Sequence, residues 1–230
     1  MTTPVKPWAS LNWPNRISII RLLLVPPFVV LMLNHHQWGD WARLAAMAIF
    51  MAMGLSDFVD GQLARRLNER TRLGAILDPL ADKILIITSV VLLAHPDTAV
   101  RDARLSNWIV VAVIGKDLWV TLGFLVVYLV TDRFVVRPSI AGKASTFAQL
   151  LMVVLVLLSP EFNRLGSRVG AGALGTGLAV AASYLVVAVC VLAVISYSRM
   201  GLAFVIEKGR LLDDGHKGSA SDLADKLKGD

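Results

Sequence analysis

Six stretches of mostly apolar residues, separated by polar segments, run through this chain. They predict helices over residues 15–33, 41–65, 72–94, 106–130, 139–158 and 175–204. A helix rises 1.5 Å per residue, so about 20 apolar residues cross a hydrocarbon layer of about 30 Å. Each stretch is therefore read as a membrane span. No small-residue cleavage pattern follows the first stretch, which is expected to remain as a span. Residues 1–14 are polar with Trp8, Leu11 and Trp13 interleaved, the pattern of an interfacial lead-in, and Pro14 suits a helix start. Pro26-Pro27 is expected to kink the first helix. The Gly/Ala-rich segment 166–177 is read as a loop or a close-packed helix start. From Glu207 on, a solvated tail is expected, with a short helix near 221–227. The expected architecture is all-α and polytopic, with an interfacial segment over 1–14, a six-helix transmembrane domain over 15–205 and a polar tail over 206–230.

Composition agrees with a membrane protein. The 230 residues are 56% hydrophobic, against about 45–50% in a soluble domain. The net charge is +6, yet the basic residues gather at span ends, where they face headgroups and set orientation. No basic-aromatic stripe or zinc spacing supports nucleic-acid binding. One side collects Lys6, Arg16, Arg21, Arg65, Arg66, Arg70, Arg72, Arg133, Arg137, Lys143, Arg199, Lys208 and Arg210. On the other side Arg101 and Arg104 are offset by Asp97 and Asp102, and Arg164 and Arg168 lie beside Glu161. An even number of spans with this bias places both termini in the cytoplasm. Cys190 lies in an apolar run and is read as a small buried residue. His35, His36 and His95 are read as solvated loop residues, and Asn15 and Ser18 as helix caps.

The chemistry is concentrated between residues 57 and 82. Asp57 and Asp60 are three apart and Asp78 and Asp82 four apart, so each pair shares a helical face. A short basic segment joins the two helices, which makes them antiparallel neighbours with both carboxylate pairs at one depth. An ionised aspartate costs about 2.5–3.5 kcal/mol at a helix centre on insertion scales, less near the interface. Four such groups call for a compensating partner. Oxygen donors with no cysteine or histidine beside them favour a hard cation, Mg²⁺ or Mn²⁺, and two such ions can bridge a diphosphate. Gly61, Ala64 and Gly74 allow a backbone or flat ligand to approach closely, and Arg65 offers a cationic fork suited to phosphate. The set reads as a metal-diphosphate site with room for a nucleotide.

The pattern D-x2-D-G-x2-A-R-x8-G-x3-D-x3-D, from Asp57 to Asp82, resembles the signature of the CDP-alcohol phosphatidyltransferase family at all eight fixed positions. The resemblance implies that Asp57, Asp60 and Asp78 are ligands of a two-metal centre. It implies that Asp82 is the general base and touches a metal as well. Asp57, Gly61, Ala64, Arg65 and Gly74 are implied to hold the cytidine nucleotide. The implied reaction is attack by an acceptor hydroxyl on CDP-diacylglycerol, releasing CMP. A homodimer in a bacterial inner membrane, with the site facing the cytoplasm, is also implied.

The acceptor is read from weaker features. Pro14-Asn15, Ser18 and Arg21, Asp78-Pro79 through Lys83, and Gly142-Lys143 with Thr146 and Gln149 resemble the glycerophospholipid branch of the family. The expected acceptor is glycerol-3-phosphate, with phosphatidylglycerol, as in a cardiolipin synthase, as the alternative. Lys116, Arg137 and Lys143 are the candidates for the acceptor phosphate. Where many members carry Arg-Glu or Arg-Asp, this chain has Lys116-Asp117, and an arginine common further on in phosphatidylglycerophosphate synthases is missing. A rival from another class is a cation or proton transporter, because intramembrane carboxylates often mark ion pathways. It leaves Gly61, Ala64 and Arg65 unexplained.

Overall fold

The computed structural model describes residues 13–67, 74–131 and 140–226; side chains are described mainly within 18–56, 80–126 and 140–206. Most of the expected interfacial segment lies outside them. The described backbone forms α1 (Trp13–Trp38), α2 (Asp40–Leu67), α3 (Gly74–Ala94), α4 (Asn107–Thr131), α5 (Ile140–Leu157), α6 (Ser159–Arg168) and α7 (Leu174–Lys226). No strand occurs among the described residues. Six of these helices coincide with the apolar stretches, and α6 is an addition. Among the described residues, three segments are long and apolar enough to cross a membrane, namely Ser18–Trp38, Ile140–Leu157 and Leu174–Ala203.

Local chemistry explains several boundaries. Gly39 takes a left-handed φ of 88° and donates to the His35 carbonyl at 3.0 Å, ending α1 in one residue. Asp40 then stands at the positive end of α2. Pro160 sits in the first turn of α6, where a missing N–H costs nothing. Arg104 donates from Nε to the Ala94 carbonyl at 2.9 Å and so satisfies the C-terminus of α3.

Helix α1 is continuous through Pro26 and Pro27. Three expectations change. Ser18 is a buried residue inside α1 rather than a cap, and His35 is buried in the last turn of α1 rather than solvated. Its Nδ1 lies 2.8 Å from the Met32 carbonyl. Finally, α7 runs on to Lys226, where a tail with one short helix was expected. No proline follows Leu174, and glycine raises helical free energy by only about 1 kcal/mol per residue, so nothing forces a stop.

Two compact units divide the chain. The first holds residues 1–111 and 146–187. Within it α1 packs on both α2 and α3. The buried positions of α1 are Ser18, Arg21, Val25, Phe28, Met32 and His35. Their alternating steps of three and four residues are those of a coiled-coil seam. Phe28 meets Phe50 of α2 with ring centroids 6.0 Å apart. Ala42 and Ala46 of α2 and Ala179 and Ala182 of α7 are buried, the small residues that let apolar helices approach in a membrane. The second unit holds residues 112–145 and 188–230. There Trp119 of α4 donates to the Ser198 hydroxyl of α7 at 3.0 Å. A Cβ on Gly142 of α5 would collide with the Tyr197 hydroxyl of α7.

Candidate active site

The backbone carries the aspartate motif as its spacing predicts. Asp57, Asp60, Gly61, Ala64 and Arg65 occupy the C-terminal turns of α2, Gly74 opens α3, and Asp78 and Asp82 follow one turn apart. α2 and α3 pack against each other, and α1 covers both. The side chains of Asp57, Asp60, Ala64, Arg65 and Asp78 lie outside the described residues, as do the surroundings of Gly61 and Gly74.

Asp82 is described in full. It sits on α3 between the buried Ala81 and Leu85, and its own side chain keeps 30% of its surface exposed. Arg21 of α1 reaches it, with Nη1 3.3 Å from Oδ1 and a side chain only 1% exposed. An arginine buried on an apolar helix needs a carboxylate, because desolvating the lone cation costs several kcal/mol. The sequence places Arg21 among the orientation-setting charges and in the stretch resembling the glycerophospholipid branch, but does not show its pairing with Asp82. The available signal was the spacing of Ser18 and Arg21, which places both on the seam of α1.

Among the described residues no three His, Cys, Asp or Glu side chains converge on a metal site; of the four motif aspartates, Asp82 alone has its side chain described. The donor set fits a hard divalent cation nonetheless. The candidate donors are carboxylates only, and the Asp82 carboxylate is partly open.

The acceptor candidates fall in the second unit or outside the description. Lys116 is buried, with Nζ 2.8 Å from Asp117 Oδ1 and 3.3 Å from Ser145 Oγ. Ser145 in turn donates to the Gly142 carbonyl at 2.8 Å. The Lys116-Asp117 pair and the Gly142–Ser145 segment are thus brought together. Lys143 is exposed. Arg137 lies outside the described residues.

A second polar cluster stands at the other end of α2, about 20 Å from Asp57 at 1.5 Å per residue. Arg43 is buried and grips Glu161 with two bonds, Nη1 to Oε2 at 2.7 Å and Nη2 to Oε1 at 2.5 Å. It also donates to the Leu157 carbonyl at the end of α5. Asp40 accepts from Arg164 at 2.5 Å and from Arg43 at 3.3 Å. The hydrogen bond from Arg43 holds the Glu161 carboxyl below its ordinary range, and that from Arg164 does the same for Asp40. Both carboxylates are engaged by arginine. This cluster is a clamp between helix ends; the sequence sets Arg164 beside Glu161 but does not bring Arg43 and Asp40 to them.

The family profile for CDP-alcohol phosphatidyltransferase matches residues 11–195. A Bacillus subtilis (strain 168) protein named CDP-diacylglycerol--glycerol-3-phosphate 3-phosphatidyltransferase is 35% identical over 156 residues, covering 64% of this chain and 77% of the relative. A protein of the same name from Aquifex aeolicus (strain VF5) is 36% identical over 149 residues, covering 65% of this chain and 75% of the relative. A Mycobacterium tuberculosis (strain ATCC 25618 / H37Rv) protein with a provisional cardiolipin synthase name is 32% identical over 148 residues, covering 64% of this chain and 65% of the relative.

Proposed function

The chain belongs to the CDP-alcohol phosphatidyltransferase family, and from that premise we propose that it transfers the phosphatidyl group of CDP-diacylglycerol to glycerol-3-phosphate, forming phosphatidylglycerophosphate and CMP. The observation that carries this reading is the complete eight-position signature on α2 and α3 in a chain whose relatives from Bacillus subtilis and Aquifex aeolicus bear that activity in their names. The transporter reading falls away with family membership.

The reaction divides among residues as follows. Gly61, Ala64 and Gly74 leave space for the cytidine, and Arg65 meets phosphate. Asp57, Asp60, Asp78 and Asp82 are the residues that would hold a divalent cation, Mg²⁺ or Mn²⁺ in a two-metal centre, whose chemistry when bound is to neutralise charge on the diphosphate. Asp82 takes the proton of the acceptor hydroxyl. The hydroxyl oxygen bonds to the phosphorus nearer the diacylglycerol, and the bond from that phosphorus to the bridging oxygen breaks. CMP leaves with that oxygen and both electrons of the broken bond. Lys116, Arg137 and Lys143 are assigned to the phosphate of the acceptor on their charge. Six spans, a homodimer, and both termini and the site facing the cytoplasm of a bacterial inner membrane complete the proposal.

A second reading, cardiolipin synthesis with phosphatidylglycerol as acceptor, is favoured by the Mycobacterium tuberculosis relative, while Lys116-Asp117 departs from the Arg-Glu or Arg-Asp of many members. The test is CMP release by purified protein from CDP-diacylglycerol with Mg²⁺ or Mn²⁺, acceptor by acceptor. Release that requires glycerol-3-phosphate is the expected result. Release that requires phosphatidylglycerol instead replaces the first reading by the second, and no release with any acceptor from folded protein rejects both.

A further inference from the structure

We infer that Arg21 is a positioning residue, holding the Asp82 carboxylate in the orientation from which it takes the acceptor proton. The inference rests on the proposed role of Asp82. Its own support is geometric. Arg21 lies on the buried seam of α1 with its side chain 1% exposed, and its Nη1 stands 3.3 Å from Asp82 Oδ1 across the α1–α3 contact. The pairing is unequal in burial. The arginine is enclosed, whereas the carboxylate keeps 30% of its surface open. Here the cation is fixed in the core and the carboxylate faces outward from it, the arrangement by which a supporting group aims a reactive one.

A planar guanidinium restrains a carboxylate in direction as well as distance, which an ammonium does not. Asp82 also has an aspartate one turn earlier on the same helix, at position 78. Carboxylates spaced one helical turn apart in sequence repel unless a cation compensates them. Arg21 supplies a fixed positive charge there from a different helix, before any substrate arrives.

The inference separates from a structural role because it moves two measurements in opposite directions. Arg21→Gln removes a buried positive charge from beside a cation site, so Mn²⁺ binding followed by electron paramagnetic resonance should tighten severalfold. The same change frees the base, so kcat should fall by about tenfold or more while KM for CDP-diacylglycerol stays within about twofold. Arg21→Lys keeps the charge and loses the fork, and should give wild-type Mn²⁺ affinity and melting temperature with a reduced kcat. Adding Arg21→Gln to Asp82→Asn should lower the residual rate no further. Wild-type kcat in both Arg21 variants overturns the inference. So does loss of Mn²⁺ affinity together with a lowered melting temperature in Arg21→Lys, which is the signature of a packing role. A fully active Asp82→Asn variant instead removes the base assignment on which the inference stands. A wild-type protein inactive with every acceptor rejects the proposed function, and the Mn²⁺ shift still reports whether Arg21 acts on the carboxylate site.

Discussion

Arg21 and Arg43 are both nearly inaccessible, and each buries its charge against a carboxylate from a distant part of the chain. Arg21 approaches a partly open aspartate, and Arg43 has a two-pronged grip on Glu161 with a further bond to a helix-end carbonyl. The second arrangement satisfies the arginine so fully that it reads as structural. It also makes stability depend on acid. Glu161 has a folded pKa held below its ordinary value of 4.5 by the Arg43 hydrogen bond. The unfolded chain therefore takes up the proton first, and the contribution is complete above about pH 4.5 and lost as pH falls through the folded value. Glu161→Gln should lower stability near neutral pH by about 2 kcal/mol, because a charged bidentate pair becomes a neutral contact. It should also flatten the loss of stability as pH falls below about 4.5. Thermal unfolding in detergent across that range checks both effects. Asp40, half exposed and paired mainly with the exposed Arg164, should matter much less when replaced by Asn.

At the scale of elements, the junction of α6 with α7 shows what small residues decide. Asn163 of α6 accepts from the backbone N–H groups of Gly175 and Thr176 at 2.7 and 3.1 Å, so a side chain from the preceding helix caps α7. A Cβ on Gly175 would collide with the backbone of Ser159, while one on Gly177 would meet nothing within 4 Å. The same substitution at the two sites should therefore have opposite signs. Gly175→Ala should destabilise by about 1–3 kcal/mol through overpacking against backbone. Gly177→Ala should stabilise by up to about 1 kcal/mol through helix propensity. Paired thermal unfolding curves measure the contrast, and equal effects would show that the close approach is not rigid. The sequence had marked the stretch 166–177 as loop or close packing, and both occur, but no local pattern tells which glycine touches a neighbour. The long apolar helices were legible because their signal is length and composition, properties a window can read. Helix α6 was not, since its ten residues are polar overall and depend on Pro160 and on tertiary partners. The aspartate motif was legible from spacing alone. The pairing of Asp82 with Arg21 joins residues 61 apart and required the packing of α1 on α3.

For the whole molecule, the ion pairs sharpen the reasoning about orientation. Positive charge sets topology when it is free to hold a loop on the cytoplasmic side. On the segments assigned to the opposite side, Arg43 and Arg164 are engaged with Asp40 and Glu161, and Arg104 closes the end of α3. Their charge is used locally and does not compete with the basic clusters at 65–72 and 133–143. Arg21 is removed from the cytoplasmic tally by the same logic, since it is paired inside the core. The bias survives its loss, because the 65–72 cluster alone holds four arginines. The proposed six spans with both termini cytoplasmic predict a concrete pattern of access. Cys190 is the single cysteine and is buried, so a cysteine placed elsewhere is labelled against a quiet background. Asp97→Cys and Gly172→Cys, both at exposed loop positions, should react with a membrane-impermeant maleimide added to spheroplasts. Lys217→Cys should react only after the membrane is opened. Labelling of position 217 from outside would mean an odd number of crossings or an inverted chain, and an inverted chain would place the aspartate motif away from a cytoplasmic supply of glycerol-3-phosphate.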